Sequence, residues 1–178
     1  MRAPPELTSE RLSLRRVLDR DAAEILATYA QDPEVTRFLT WTPRSSVAQV
    51  SGFIVERTGL WEAGRSFTWV IRFLESNRLV GIIEARVDQH RLELGYVIAR
   101  DCWGHGIATE AVRTLVSIAA AEPSIRCVWA YTDIDNATSG RVLEKAGLSR
   151  KGLLEGWAHH PNVGDVLRDC WVYSLRFD

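Results

Sequence analysis

The chain changes its apolar period twice, and the second change does most to narrow its fold. Between positions 67 and 99 hydrophobic residues recur at every second position, as in Phe67, Trp69, Ile71 and Phe73, the alternation of strands. Only Glu75-Ser-Asn-Arg78 and Asp88-Gln-His90 interrupt it. Connections that short join neighbours, so strands 67–73, 79–87 and 92–99 are expected to form an antiparallel meander. From Gly104 the period lengthens to that of a helix, with Ile107, Ala111, Val112, Leu115 and Ala119 on one side as far as Ala121. A further strand occupies 126–133. A strand–helix–strand step is a crossover, so strands 92–99 and 126–133 should lie parallel in one sheet.

The remaining segments extend this pattern. Leu12 and Leu14 mark a short strand, and Ala22, Ile25, Leu26 and Tyr29 a helix over 19–30 with Asp19 or Asp21 as its cap. Residues 31–46 read as loop. Ser46-Val-Ala-Gln49 resembles a capping box opening a helix that carries Val47, Val50, Phe53, Ile54 and Leu60. After strand 126–133 comes a helix over 136–146, closed by Gly147, then a weak strand over 148–156 and a long one over 166–177. The expected class is α/β (α+β): a mixed, mostly antiparallel central sheet with helices on both faces, built by residues 1–178 as a single domain.

Charge excludes more than it assigns. The 22 basic and 23 acidic residues leave a net charge of −1, which argues against a duplex-wrapping nucleic-acid protein. Cys102, Cys127 and Cys170 are odd in number and form no CxxC pair, and His90, His105, His159 and His160 make no ligand spacing with them. Neither a metal site nor a disulfide framework is expected. No apolar run approaches a membrane span, and the first residues carry no apolar core of a secretion signal. A cytoplasmic location follows as an expectation.

Chemistry concentrates at Arg100-Asp-Cys-Trp-Gly104-His-Gly106-Ile-Ala-Thr109, where a strand hands over to a helix. Two glycines let main chain approach a ligand, and the first N–H groups of the helix point outward, which suits a pyrophosphate. No Gly-x4-Gly-Lys-Ser/Thr run is present, and the third glycine of a dinucleotide fingerprint is replaced by Thr109.

The turn resembles the acyl-CoA-binding turn of GNAT-superfamily N-acetyltransferases, whose pattern is Arg/Gln-x-x-Gly-x-Gly/Ala. The segments Thr8-Ser-Glu-Arg-Leu-Ser-Leu-Arg15, Phe38-Leu-Thr-Trp41-Thr-Pro43, Glu93-Leu-Gly-Tyr96, Trp103-Gly-His-Gly-Ile-Ala-Thr-Glu-Ala111, Asn136-Ala-Thr-Ser-Gly-Arg-Val-Leu-Glu-Lys-Ala-Gly147 and Arg168-Asp169 with Tyr173-Ser174 are similar, in the same order, to its RimJ/RimL-type branch. Three places depart from the superfamily pattern. Asp101 stands at the Arg/Gln position, Leu143 where many relatives have a tyrosine that protonates the leaving thiolate, and Leu148 where phenylalanine is usual.

The resemblance implies a GNAT fold and transfer of acetyl from acetyl-CoA to an amine, directly, in a ternary complex. Main-chain groups of Val97, Ile98 and Ala99 would hold the pantetheine arm, and those of Gly104, His105, Gly106, Ile107, Ala108 and Thr109 the pyrophosphate. Asn136 would cap its helix and bond the pantetheine amide. Glu93 is the first candidate base and Glu84 the second, because an ammonium must lose a proton before it attacks. Ser139 takes the thiolate role by resemblance, as a hydrogen-bond donor. Trp41, Trp61 and Trp157 come from segments that border the acceptor groove in the family. His159-His160 read as a surface pair.

The acceptor stays open between a protein or peptide N-terminal amine, placed first, and a small amine such as an amino acid, polyamine or antibiotic. A non-catalytic acyl-CoA sensor is the reading from another class. Neither nucleic acid nor membrane is expected as a partner, and a homodimer is within the family's range.

Overall fold

The meander forms because its strands can bury both faces. In a computed structural model describing residues 2–177, β3 (Ser66–Phe73), β4 (Leu79–Asp88) and β5 (Arg91–Ile98) run antiparallel. Ahead of them, β2 (Leu12–Arg16) pairs with β3, and a three-residue β1 (Glu6–Thr8) pairs with β2. β1 was not expected. Its three residues, preceded by Pro4 and Pro5, show no alternation of their own, and pairing of Leu7 with Leu14 defines them as strand.

After the meander come α4 (Ile107–Ala121), β6 (Cys127–Asp133), α5 (Ala137–Lys145), β7 (Ser149–His159) and β8 (Leu167–Arg176). The eight strands make one sheet in the order β1-β2-β3-β4-β5-β6-β8-β7. Every neighbouring pair is antiparallel except β5 and β6, the parallel pair that the crossover demands. α4 packs on β2, β4, β5 and β6, while α1 (Ala22–Ile25) and α3 (Val47–Glu62) pack on β4 and β3 respectively. The chain thus has the mixed sheet with helices on both faces that its periodicities imply.

Local signals explain the helix starts. Ser46 Oγ accepts from the Gln49 N–H, but Gln49 Oε1 returns the bond to Ser45 instead of Ser46, a capping box offset by one residue. Asp21 caps differently from either expectation: buried at 2% exposure, it accepts from the Leu18 N–H and pairs with Arg15 and Arg72. Within the stretch read as loop, Asp32 caps α2 (Pro33–Thr36), one turn with proline at its first position. β7 has two irregularities against β8 and leaves Leu153 and Trp157 exposed, as suits an edge strand whose alternation was weak.

The core centres on β2 to β5 with α4 over it. Leu14, Ile71 and Ile83 are fully buried beneath Ile107 and Val112 of the helix. Truncation of Ile83 to alanine should cost about 2–5 kcal/mol.

Candidate functional site

β5 and β6 begin as a ladder and then part. Their register covers Arg91 with Cys127, Leu92 with Val128 and Glu93 with Trp129, and ends there, although β5 continues to Ile98 and β6 to Asp133. Beyond Glu93 the facing edges have no strand partner across the gap. A cavity of about 240 Å³ occupies this opening. Its lining includes Glu84, Arg86 and Glu93 from one face of the sheet and Tyr96, Asn136 and Ser139 from the other. Side chains alternate along a strand, so Glu93 and Tyr96 project from opposite faces, and the cavity passes through the sheet.

On the face carrying α1 and α3 lies a chain of charges. Glu84 accepts from Ser66 Oγ (2.5 Å), Arg57 (2.7 Å) and Arg86 (2.9 Å), and Arg86 also donates to Glu93. β-sheet register sets this up, pairing Glu84 with Gly95 and Arg86 with Glu93. The two carboxyls differ. Burial pushes Glu84 up, but Arg86, the Ser66 hydroxyl and Arg57 more than reverse this and leave it below the usual carboxylate range. Burial also pushes Glu93 up; Arg86 opposes it, Glu84's negative charge adds to it, and the result lies above the usual range. Glu93 is therefore the more basic of the pair, while Glu84 is a committed anion in an ion-pair network.

On the opposite face the groups are neutral. Tyr96 Oη lies 2.7 Å from Ser139 Oγ and 3.2 Å from the Ser139 carbonyl oxygen, within hydrogen-bond reach of both. Burial pushes the Tyr96 phenol up to about 12, with the bond to Ser139 pulling the other way. Asn136 Oδ1 accepts from the Ser139 N–H, so the asparagine is the cap of α5. Leu143, one turn beyond Ser139, is buried and offers only hydrocarbon. The first turn of α5 is also pinned from outside: a Cβ on Gly140 would lie 2.5 Å from the Tyr173 hydroxyl, so only glycine allows this approach.

The Gly turn stands at the start of α4. Gly104 and Gly106 both have φ of +78°, a left-handed backbone that favours glycine, and Gly106 is the N-cap without a side-chain cap of its own. Ile107 and Thr109 bury their side chains, so this turn presents main-chain N–H groups, those a helix leaves without internal partners. Arg11 reaches across to donate to the His105 carbonyl and pairs with Glu110. Asp101 is bound to Arg78 and Arg100 to Asp32, so neither side chain turns to the glycines. The His105 side chain is exposed. Val97 lines the cavity, whereas the Ile98 carbonyl accepts from Trp103 Nε1 and the Ala99 N–H donates to Val80.

The three tryptophans separate. Trp41 lines the cavity, with Arg44 stacked over its ring. Trp61 is not among the residues that line it and packs edge-on against Phe67 and Trp69 at the end of α3. Trp157 lies outside the lining and touches Tyr131, which belongs to it. His160 needs correction as a surface residue. It is buried at 2% exposure, lines the cavity and stands near Asp133, to which Arg168 is paired. Burial lowers its basicity, against the opposing pull of Asp133. Reading the sequence missed Arg57, Arg86, Tyr96 and Asp133 as site residues. Only Tyr96 stood inside a motif; Arg86 meets Glu93 through strand register, Arg57 reaches Glu84 from α3, and Asp133 ends β6.

Comparisons with known proteins agree on one family. Residues 11–149 match the model described as an acetyltransferase (GNAT) domain. A protein of Bacillus subtilis (strain 168), described as an uncharacterized N-acetyltransferase, YoaA, is 31% identical over 174 residues, covering 96% of each chain. Among solved structures, the microcin C7 self-immunity acetyltransferase MccE in complex with acetyl-CoA and AMP superposes with a TM-score of 0.88 at 16% identity, covering 99% of this chain and 98% of the other. RimL, the ribosomal L7/L12 alpha-N-protein acetyltransferase in complex with coenzyme A, gives 0.85 at 17% identity and 97% of both chains.

Proposed function

The chain belongs to the GNAT acetyltransferase family and is an acyltransferase, and from that premise we propose that it transfers acetyl from acetyl-CoA to a primary amine, foremost the N-terminal amine of a protein or peptide. Transfer is direct, within a ternary complex, in a cytoplasmic enzyme whose residues 1–178 act as one domain. The observation that carries this reading is the cavity passing through the sheet where β5 and β6 part. It lets a thioester on one face meet an amine on the other without a covalent carrier. The peptide preference takes support from the likeness to RimL, named for an alpha-amine of a ribosomal protein.

The fit to acetyl-CoA rests on main chain. The N–H groups at Gly104 to Thr109 receive the pyrophosphate, with the dipole of the 15-residue α4 behind them. Val97 and its neighbours on the unpaired edge of β5 flank the pantetheine arm, and a main-chain N–H there donates to the oxyanion. Asn136 orders the first turn of α5 and presents Ser139 to the sulfur. Glu93 accepts the proton that the attacking ammonium must lose, through water where distance requires it. Glu84 holds Arg86 and is not the base. Trp41 contacts the acceptor.

The deciding experiment is thiol release from acetyl-CoA across peptides, amino acids, polyamines and aminoglycoside-type amines, followed by mass mapping of the acetylated nitrogen. Acetylation of a peptide α-amine at the highest kcat/KM is the expected result. A small-molecule acceptor outpacing every peptide would replace the peptide reading, and no release above background with any amine would favour an acyl-CoA sensor.

A further inference from the structure

Tyr96 belongs to no step so far, yet it is the group closest to the serine assigned to the leaving sulfur. It rises from β5 on one side of the opening, and Ser139 descends from α5 on the other. Their hydroxyl oxygens are 2.7 Å apart, and the same phenol lies 3.2 Å from the Ser139 carbonyl. A phenol has one hydrogen, and both possible acceptors are on Ser139. With that hydrogen on the carbonyl, the serine hydrogen turns back to the phenol oxygen. With it on Oγ, the serine hydrogen is free to point into the cavity. Leu143, the next residue of α5 on the same side, supplies no donor.

Resting on the assignment of Ser139 above, we propose that Tyr96 is a positioning residue for the thioester step: it donates to Ser139 Oγ and thereby aims the serine hydrogen at the departing sulfur. When the tetrahedral adduct collapses, the C–S bond breaks and its electron pair goes to sulfur while the carbonyl re-forms. Ser139 hydrogen-bonds the thiolate without giving up its proton, and Tyr96 keeps its own. The proton lost by the amine has gone to Glu93, and the thiolate is protonated by solvent on release. A phenol whose proton is held up to about 12 is suited to this, because it stays a donor throughout the working pH range.

The first part of the test needs no acceptor. Ionisation of the thiol of bound CoA is followed by thiolate ultraviolet absorbance in wild type, Tyr96→Phe, Ser139→Ala and the double variant, and kcat and KM are then measured with the best amine. The bound thiol should ionise at lower pH than free CoA. Loss of one hydrogen bond predicts that Tyr96→Phe lowers its ionisation constant about threefold and kcat about 3–10-fold, with the KM for acetyl-CoA unchanged. Ser139→Ala should have the larger effect, and adding Tyr96→Phe to it should change nothing further. Equal effects of Tyr96→Phe with and without Ser139 would show a merely structural tyrosine and overturn the proposal. So would a Tyr96→Phe protein whose bound thiol ionises as in wild type. Thiol shifts as expected in a protein that acetylates no amine would support this role of Tyr96 and sink the acceptor reading alone.

Discussion

The two mouths of the opening between β5 and β6 are built from different chemistry. The mouth toward α1 and α3 is ionic, with Arg57, Glu84, Arg86 and Glu93 joined in one chain. The mouth toward α5 is neutral, with a phenol, a hydroxyl and a capping amide. The difference suits the reaction proposed above. An amine arrives as a cation and must surrender a proton, which takes a carboxylate of raised basicity. A thiolate needs only a donor, and a full positive charge beside it would be more than the step requires. Burial acts on both mouths and raises a group at each, Glu93 above the usual carboxylate range and Tyr96 up to about 12.

The comparison breaks most readily at Glu93. Glu93→Gln should lower kcat about 10²-fold or more and remove the acidic limb of the pH–rate profile. In wild type that limb should sit above the range of an ordinary carboxylate, since activity falls as the raised group takes up its proton. A variant with wild-type kcat would hand proton removal to water or to another group.

Glu84→Gln separates the structural from the chemical carboxylate. Loss of a buried anion leaves Arg57 and Arg86 without their shared partner and should cost about 3 kcal/mol of stability, read by urea unfolding. Glu84 is depressed in the folded state, so its contribution is present above the unfolded carboxylate pKa and is lost as pH falls through the folded one. The variant should therefore lose less stability on acidification than wild type. Its turnover should persist, with the acidic limb moved to lower pH, because the charge that lifts Glu93 is gone and Arg86 is freer to lower it. An acidic limb that stays in place would disconnect the two carboxylates.

On the neutral mouth, Gly140→Ala forces a Cβ to within 2.5 Å of the Tyr173 hydroxyl. The overpacking should cost about 1–3 kcal/mol and displace Ser139 from Tyr96, lowering kcat with the KM for the amine little changed. The smallest effect is expected from a tryptophan pair. Trp41→Phe should raise the KM for the acceptor by about 10-fold, the lower end of the scale of one methylene-sized loss in a pocket, whereas Trp61→Phe should shift the melting temperature and leave that KM alone.

Much of the architecture is legible in the residues themselves. Alternation from Phe67 to Ile98, two short turns and the helical period after Gly104 dictate the meander, the crossover and the parallel pair. Glu93, Ser139, Asn136 and the glycine turn lie in stretches that a reader can recognise. Harder to see were β1, which exists through its partner, and the shared neighbourhood of residues distant in sequence. Arg86 faces Glu93 because the β4–β5 turn sets that register, and one residue of slip would move it to the other face. His160 shows the limit, since a polar residue in a loop is buried by segments that the sequence does not place beside it.

The sequence alone thus determines the main strands and helices, β1 and α2 aside, and that β5 and β6 run parallel, because period and connection length are local properties of the chain. Tertiary structure decides that these two strands part after Glu93, that Glu84 is spent on two arginines, and that Tyr96 meets Ser139. Those outcomes depend on distances between segments far apart in the chain and on burial that only the packed sheet and its helices create.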